Sequence, residues 1–284
     1  MFLNRQRATK LGQETVRIIE AGRYTTEKGT VVEIGDLVRR AVSGTCSYPP
    51  NHPLPDAQPG NKETQIEVEN ATTLAAARRL IQLGYRPVAL NFASAKNPGG
   101  GFLTGARAQE ESLARSSGLY ACLNGNPMYD AHHAQPDPMY TNYAIYSPDV
   151  PVFRADDGML LDRPYLCSFI TCPAVNAKVV LERHPPRRSE IRDAMGERVR
   201  KVLTIAAEKG HEAIILGAWG CGVFGNDPKE IAELFRKALT EAFHGVFARV
   251  VFAVLDSSDD EQMIAPFRNI FGPPCQKHQL RSKP

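Results

Sequence analysis

The sequence predicts an α/β fold, in which helices cover both faces of a central, largely parallel or mixed sheet. Three observations predict it. From Thr64 onward, short strand patterns alternate with longer helix patterns. The segment PVALNFA (87–93) is almost continuously apolar, as expected of a strand buried on both faces. Two glycine-rich stretches each follow a strand pattern directly, at the carboxyl end where ligands bind in such sheets.

The first part of the chain predicts an appendage to this core. Apolar residues spaced among charges in residues 4–23 predict an amphipathic helix that ends at Gly22. A short strand (TVVEI) and a helix (DLVRRAV) follow, and SYPPNHPLPDAQPGN contains five prolines in fifteen residues, which predicts an extended connector. The predicted division is an N-terminal helical extension with its Pro-rich connector (1–62), a catalytic core (63–275) and a basic C-terminal tail (276–284).

The remaining elements follow in alternation. TQIEVEN is a predicted strand, ATTLAAARRLIQLG a helix ending at Gly84, and QEE opens the helix after PVALNFA. A long irregular loop is expected over about residues 124–164. The later elements predicted are strand YLCSFITCPAV, helix 188–209, strand EAIILGAW, helix 228–243 and strand RVVFAVLD.

Composition limits the possible functions. A formal net charge of +3 over 284 residues is too small to argue for a nucleic-acid or anionic-membrane partner. The arginines around Arg187 and Arg188 favour a solvated face. No apolar run reaches the roughly 18–20 residues of a membrane span, and the N-terminus lacks a signal-peptide pattern. We therefore expect a cytoplasmic (intracellular) protein and a monomer, with no membrane partner.

The cysteines and histidines predict no metal site. The six cysteines are scattered, no CxxC occurs, and no histidine lies at ligand spacing from a cysteine. Reduced, buried thiols without a structural zinc are expected. His132 and His133 are adjacent in the segment YDAHHAQPDP, which predicts two surface residues in a loop.

The stretch GAWGCGVFGNDP (217–228) has its glycines at GxGxxG spacing. A dinucleotide-binding loop would expose backbone N–H groups to a diphosphate at a helix N-terminus. However, the acid that follows, Asp256, comes about thirty residues later instead of the roughly twenty expected, and little chain remains for a nucleotide-binding sheet. We keep the diphosphate loop and reject a hydride-transfer enzyme. A tight turn that requires small residues explains this loop equally well on its own.

The stretch NPGGG (97–101) is stronger evidence for a ligand, because three consecutive glycines exceed what a turn requires. The QEE segment then places Glu110 and Glu111 about 100° apart around a helix start, so they cannot share one role. Acids in a first helical turn commonly complement the helix dipole. Beside a bound sugar, a glutamate could instead protonate a glycosidic oxygen and later deprotonate water, with desolvation raising its pKa. Spacing does not decide which glutamate would do so.

The pattern GGG-x7-QEE, preceded by LNFASAKNP and followed by SLARSSGLY, resembles the signature of poly(ADP-ribose) glycohydrolases, in the bacterial-type branch of the macrodomain family. GAWGCGVFGNDP is similar to the second diphosphate loop of that family, and FITCPAVNA to another of its strand–loop segments. The resemblance implies a macrodomain: a three-layer α/β/α sandwich with a central mixed sheet, here with an N-terminal helical extension, that holds ADP-ribose in a surface cleft.

The resemblance also implies roles for individual residues. Glu111 would be the general acid that protonates the leaving oxygen, and Glu110 would bind ribose hydroxyls and position the scissile bond. Phe224 would pack on the distal ribose, which Asn97 would also contact, while Gln109 would support the loop. The residues implied to line ADP-ribose are Asn97, Gly99, Gly100, Gly101, Gln109, Gly220, Gly222, Val223, Phe224 and Gly225. No metal and no cofactor are implied.

Three functions share this predicted cleft. The first is hydrolysis of ribose–ribose O-glycosidic bonds in poly(ADP-ribose), mainly from chain ends, with release of ADP-ribose. The second is a module that binds ADP-ribose without cutting it, against which the intact QEE argues. The third is a hydrolase of mono-ADP-ribosylated proteins or other conjugates. The adenine pocket stays open between the segment EVEN (67–70) and residues beyond Asp256.

Overall fold

The computed structural model describes residues 4–272, which fold into one central sheet flanked by helices. The helices are α1 (Arg5–Ala21), α2 (Gly35–Ser43), α3 (Thr73–Gln82), α4 (Gln109–Ser116), α5 (Leu119–Leu123), α6 (Pro127–Ala134), α7 (Ala177–Arg183), α8 (Arg188–Glu208), α9 (Pro228–Thr240) and α10 (Ala265–Phe271). The strands are β1 (Arg23–Thr25), β2 (Val31–Glu33), β3 (Cys46–Tyr48), β4 (Gln65–Glu69), β5 (Pro87–Phe92), β6 (Ala144–Arg154), β7 (Leu160–Cys172), β8 (Ala213–Leu216) and β9 (Arg249–Ala253).

The central sheet is mixed and has the strand order β3-β6-β7-β5-β8-β9-β4. The five strands from β7 to β4 in this order are parallel, whereas β6 runs antiparallel to both of its neighbours. β1 and β2 form a separate antiparallel pair within the N-terminal extension. The predicted mixed sheet between helical layers is confirmed.

The middle of the sheet brings the two glycine loops to one edge. β5 pairs with β8 in parallel, with Val88 opposite Ile214 and Ala89 opposite Ile215, so their carboxyl ends point the same way. Successive β5 side chains pack into different cores: Val88 joins the apolar cluster on one face and Ala89 the cluster on the other. Both faces are therefore buried, as the continuous apolar pattern predicts.

The N-terminal helix is confirmed. The Asn4 side chain accepts the Arg7 backbone N–H at 2.8 Å, and Gly22 ends the helix in the left-handed region at φ 67°. The start of the predicted connector is wrong, because β3 extends over Ser47 and Tyr48 and pairs with β6. The extension thus supplies an edge strand of the central sheet. The domain division stays a prediction, and the tail 276–284 lies outside the described residues.

The predicted irregular loop over 124–164 is wrong. It contains α6, the eleven-residue strand β6 and the first residues of β7. β6 contains two prolines, Pro148 and Pro151, which cannot donate a hydrogen bond to a sheet. The sheet accommodates this sequence through a register shift between Ser147 and Val150, and the intervening Asp149 has a φ of 45°.

Two further expectations need correction. His132 is fully buried, with its Nε2 2.8 Å from the Thr141 hydroxyl, because α6 turns it inward, whereas His133 is exposed. Of the described cysteines, four are buried, but Cys46 on the edge strand is exposed. The short helices α5, α7 and α10 were not predicted, since segments this brief show little periodicity.

The residues 4–272 contain no membrane-spanning helix and no metal-binding cluster. None of the helices described there is both long and apolar enough to cross a membrane. In the same part of the chain, no group of three or more His, Cys, Asp or Glu side chains is arranged to hold a metal ion.

Candidate active site

The Glu111 carboxyl is anchored at one oxygen and free at the other. Its Oε1 accepts the backbone N–H of Gly101 at 3.0 Å. Its Oε2 is buried and has no hydrogen-bond partner among residues 4–272. A buried carboxyl oxygen without a partner is costly unless a ligand or a proton satisfies it. Glu111 is therefore held in one orientation while Oε2 stays available for chemistry.

The Glu110 carboxyl, in contrast, is bonded at both oxygens. Oε1 accepts the side-chain amide of Asn91 at 3.2 Å, and Oε2 accepts the Ser94 backbone N–H at 2.6 Å. Burial raises the pKa of Glu110 to about 8, with a smaller contribution from the nearby charge of Glu111. The two adjacent acids thus occupy different environments, as their angular separation predicts.

The three glycines bring the first loop against these acids. Gly99 and Gly100 have φ values of 70° and 61°, a region that favours glycine. A Cβ on Gly100 would lie 2.3 Å from Glu111 Oε1 and 3.1 Å from Glu110 Oε2. Both carboxyls therefore converge on the backbone of this loop. Asn97, at the start of the loop, is exposed, and its carbonyl accepts the Gly100 N–H at 2.9 Å.

Gln109 connects the helix start to the sheet. Its Oε1 accepts the Phe92 N–H at 2.9 Å, and its Nε2 donates to the Leu90 carbonyl at 2.8 Å and to the Thr73 hydroxyl at 3.1 Å. These bonds fix the N-terminus of α4 on β5, which agrees with a supporting part for Gln109.

The second glycine loop is built around a residue that sequence reasoning missed. The Asn226 amide is buried and donates to the carbonyls of Gly220 and Val175, at 3.1 and 2.8 Å. Gly220 has a φ of 73°, and a Cβ there would lie 2.5 Å from Ala174 Cβ. An asparagine one residue after a GxGxxG pattern is the available signal, because its amide can close the turn.

The remaining loop residues differ in exposure. Gly225 and Gly222 are exposed, and nothing lies within 4 Å of a Cβ placed on Gly222. Val223 at the tip is 84% exposed, so no residue of the described range 4–272 covers it. Phe224 is half-buried, and its ring centroid lies 6.1 Å from that of Tyr140, another residue that sequence reasoning missed.

A cavity of about 290 Å³ lies beside α4 and the second glycine loop. Gln109 and Ser112 of α4 line it together with Gly222 of the second loop. Its far end is mainly apolar and is formed by the start of α3 and the chain after β9. The residues there are Ala71, Thr72, Thr73, Leu74, Val254, Leu255 and Met263. The cavity therefore begins directly after the EVEN segment, none of whose residues lines it, and of the two regions that the sequence left open only the one beyond Asp256 contributes, through Met263.

The N-terminal helix supports the first loop from behind. The Thr15 hydroxyl donates to the carbonyl of Arg115 at the end of α4, and Arg5 Nε donates to the Thr104 carbonyl at 3.1 Å. Gly12 packs so closely that a Cβ would lie 2.6 Å from the Phe102 carbonyl oxygen. The buried Arg115 guanidinium in turn donates to the Ala106 carbonyl. α1 and α4 thus hold the segment between GGG and QEE.

These features define a class of protein: an α/β/α fold with two glycine loops at neighbouring strand ends, a buried carboxyl pair against the first of them and an apolar cavity beside the second. A family model described as the catalytic domain of microbial-type PARG matches residues 12–155. This chain belongs to the family of microbial-type poly(ADP-ribose) glycohydrolases (PARG).

Solved structures agree with this membership. The PARG of Thermomonospora curvata is 48% identical and has a TM-score of 0.89, over 94% of this chain and all of that one. The same enzyme bound to the inhibitor ADP-HPD is 47% identical, with a TM-score of 0.86, over 93% of this chain and 99% of that one. PARG of Deinococcus radiodurans in complex with ADP-ribose is 40% identical, with a TM-score of 0.73, over 90% and 96% of the two chains. No curated protein matches the chain.

Proposed function

We propose that this protein hydrolyses the ribose–ribose O-glycosidic bonds of poly(ADP-ribose), mainly from chain ends, and releases ADP-ribose. Family membership and the solved PARG complexes with ADP-ribose and ADP-HPD support the reaction class. The observation that carries the assignment of the acid is the asymmetry of Glu111, anchored by Gly101 at Oε1 and without a partner at Oε2.

The proposed step uses the free oxygen of Glu111. A protonated Glu111 Oε2 gives its proton to the oxygen of the scissile bond, and the bond between that oxygen and the anomeric carbon breaks. The resulting oxocarbenium-like ribose takes up a water molecule, whose proton returns to the Glu111 carboxylate. Glu110, held by Asn91 and Ser94, meets the ribose hydroxyls and fixes the sugar in this position.

The same cleft binds the diphosphate, the distal ribose and the adenosine of ADP-ribose. The backbones of Gly99, Gly100 and Gly101 and of the 220–225 loop line the diphosphate, and Phe224 packs on the distal ribose. Asn97, exposed at the start of the first loop, also contacts that ribose. The adenosine enters the apolar cavity between the start of α3 and the chain after β9. A mainly apolar cavity with a few polar groups at its rim suits a purine ring.

A hydrogen bond at the rim of the cavity supports the preference for chain ends. The Thr72 hydroxyl donates to Asp156 Oδ2 at 2.6 Å, which joins the start of α3 to the turn between β6 and β7 beside the cavity. A polymer that continued beyond the bound adenosine would have to open this bond. Early products of a time course should therefore be free ADP-ribose and not oligomers.

The function is tested by ADP-ribose release from poly(ADP-ribose) and by calorimetric binding of ADP-ribose. Glu111→Gln should lower turnover by about 10²–10⁴-fold and still bind ADP-ribose, because it removes a proton donor and keeps the shape. The exposed Glu63→Gln controls for the chemical change and should behave like the wild type. Tight binding without turnover by the wild type would favour a binding module, and turnover only on mono-ADP-ribosylated protein would favour the third function.

A further inference from the structure

Tyr140 is held in an unfavourable backbone conformation next to the candidate active site. Its φ is 52°, in the left-handed region that side chains other than glycine rarely adopt. For a bulky aromatic residue this conformation is unfavourable, and such positions concentrate at functional sites. No sequence signal marks it, because the surrounding Asp- and Pro-rich segment is typical of a surface loop.

The segment before Tyr140 is pinned by three elements. The Pro138 carbonyl accepts the Asn176 N–H at 3.0 Å, and the Met139 carbonyl accepts the buried guanidinium of Arg198. Asp137 is paired with Arg187, with both contacts at 3.3 Å. The Tyr140 N–H itself donates to the Asp137 carbonyl at 3.0 Å. These contacts therefore hold the backbone of Tyr140 in its strained conformation, which would otherwise relax.

The fixed segment before Tyr140 places the Tyr140 ring against Phe224. Their ring centroids are 6.1 Å apart and the planes are tilted by 41°. The Tyr140 ring also makes an edge contact with the buried His132, at 5.7 Å and 66°. His132 is itself fixed by Thr141, whose hydroxyl lies 2.8 Å from its Nε2. The Tyr140 ring thus contacts both the fixed His132 and Phe224.

The side chain of Tyr140 is only half-buried, and its hydroxyl makes no hydrogen bond to residues 4–272. A purely structural tyrosine in a pinned loop would be expected to bury the ring or to bond the hydroxyl within the protein. The strained backbone of Tyr140, the hydrogen bonds that fix its segment and its unbonded hydroxyl group together indicate that the side chain contacts a ligand.

We propose that Tyr140 is a further ligand-contacting residue, which forms with Phe224 an aromatic wall around the distal ribose and offers its hydroxyl to a ribose hydroxyl. This inference rests on the proposed function and names a specificity-determining residue of the same cleft. The wall selects a pentose beyond the diphosphate, so Tyr140 should contribute to binding ADP-ribose and not to binding ADP.

Two variants and two probes test this inference. Tyr140→Gly removes the ring and relieves the backbone strain, so the fold is retained, and Tyr140→Phe removes the hydroxyl alone. Calorimetry should show ADP-ribose binding weakened about tenfold or more in Tyr140→Gly and about threefold in Tyr140→Phe. Binding of ADP, which lacks the distal ribose, should stay within about twofold of the wild type in both variants, and kcat/KM on poly(ADP-ribose) should fall in the same order.

Equal weakening of ADP and ADP-ribose would overturn the inference, because the residue would then act on the whole cleft. Unchanged ADP-ribose binding by Tyr140→Gly, in a wild type that binds and cleaves, would overturn it while leaving the proposed function in place. A wild type that binds no ADP-ribose would remove the proposed function and this inference with it.

Discussion

The backbone of Gly100 and the carboxyl of Glu111 lie so close together that no side chain fits between them. A Cβ on Gly100 would be 2.3 Å from Glu111 Oε1, and the next residue, Gly101, donates its N–H to that same oxygen. The glycine triplet and the QEE segment are therefore two halves of one arrangement. The missing side chain at Gly100 is what lets the loop backbone fix the orientation of the acid.

Gly100→Ala should abolish most of the activity. The added methyl group cannot occupy a position 2.3 Å from Glu111 Oε1, so either the loop or the carboxyl must move, and a displacement of about 1 Å can cost about 10²-fold in rate. The measurement is kcat/KM on poly(ADP-ribose). Gly125→Ala is the matched control, since Gly125 also has a positive φ, at 76°, but a Cβ there meets nothing within 4 Å. Equal losses in the two variants would attribute the effect to backbone strain alone.

The stability of Glu110→Gln relative to the wild type should increase as the pH rises. Burial raises the Glu110 pKa from 4.5 to about 8, so the folded state holds its proton over a pH range in which the unfolded chain has lost it. The stability that this provides is complete below about pH 4.5 and disappears as the pH rises through about 8. Glutamine stays neutral throughout. The Tm of the variant minus that of the wild type, from calorimetry between pH 5 and pH 9, should increase; a constant difference would contradict the shifted pKa.

Gly12→Ala should lower the activity although Gly12 lies outside the candidate active site. Alanine normally stabilises a helix interior by up to about 1 kcal/mol over glycine. At Gly12, however, the Cβ would lie 2.6 Å from the Phe102 carbonyl, directly after the glycine triplet, so α1 must shift against the loop. We expect kcat/KM to fall about tenfold or more, by displacement of the carboxyl that the loop holds.

Gly196→Ala in the interior of α8 is the comparison for Gly12→Ala, because its Cβ would make an ordinary contact of 3.5 Å with Leu234. This variant should gain stability and keep full activity. Full activity in Gly12→Ala as well would show that α1 does not position the loop.

Acidification should destabilise the protein through His132. Burial lowers its pKa from 6.5 to about 4, and the nearby cations Lys96 and Arg198 act in the same direction. Between about pH 6.5 and pH 4, His132 is therefore protonated in the unfolded chain but not in the folded state. The free energy of unfolding falls across this range by about 3 kcal/mol. Urea unfolding of His132→Asn should show a smaller loss between pH 6.5 and pH 4 than the wild type. His133→Asn, at an exposed position, controls for the substitution, and parallel losses in all three proteins would remove His132 as the cause.

Much of the architecture could be predicted from the sequence. The apolar run of β5, the amphipathic pattern of α1 and the alternation of elements identify local structure directly, because burial on one or both faces leaves a periodic trace in the chain. Sequence reasoning failed where tertiary contacts override a local signal. The prolines of β6 argue against a strand, but the bulge between Ser147 and Val150 and pairing with β7 accommodate them.

The candidate site divides in the same way. The sequence by itself determined that two glycine loops and two acids follow strand patterns, because residue type and hydrophobic periodicity are local properties. That β5 and β8 are neighbours, with both glycine loops at one edge, was decided by the tertiary structure. Only the tertiary structure decided which acid is free: Asn91 and Ser94 take up both oxygens of Glu110, whereas Glu111 keeps one. The contacts of Asn226 and Tyr140 were likewise decided only by the tertiary structure. The physical reason is that hydrogen bonding and burial depend on partners distant in the chain, which no spacing within a motif records.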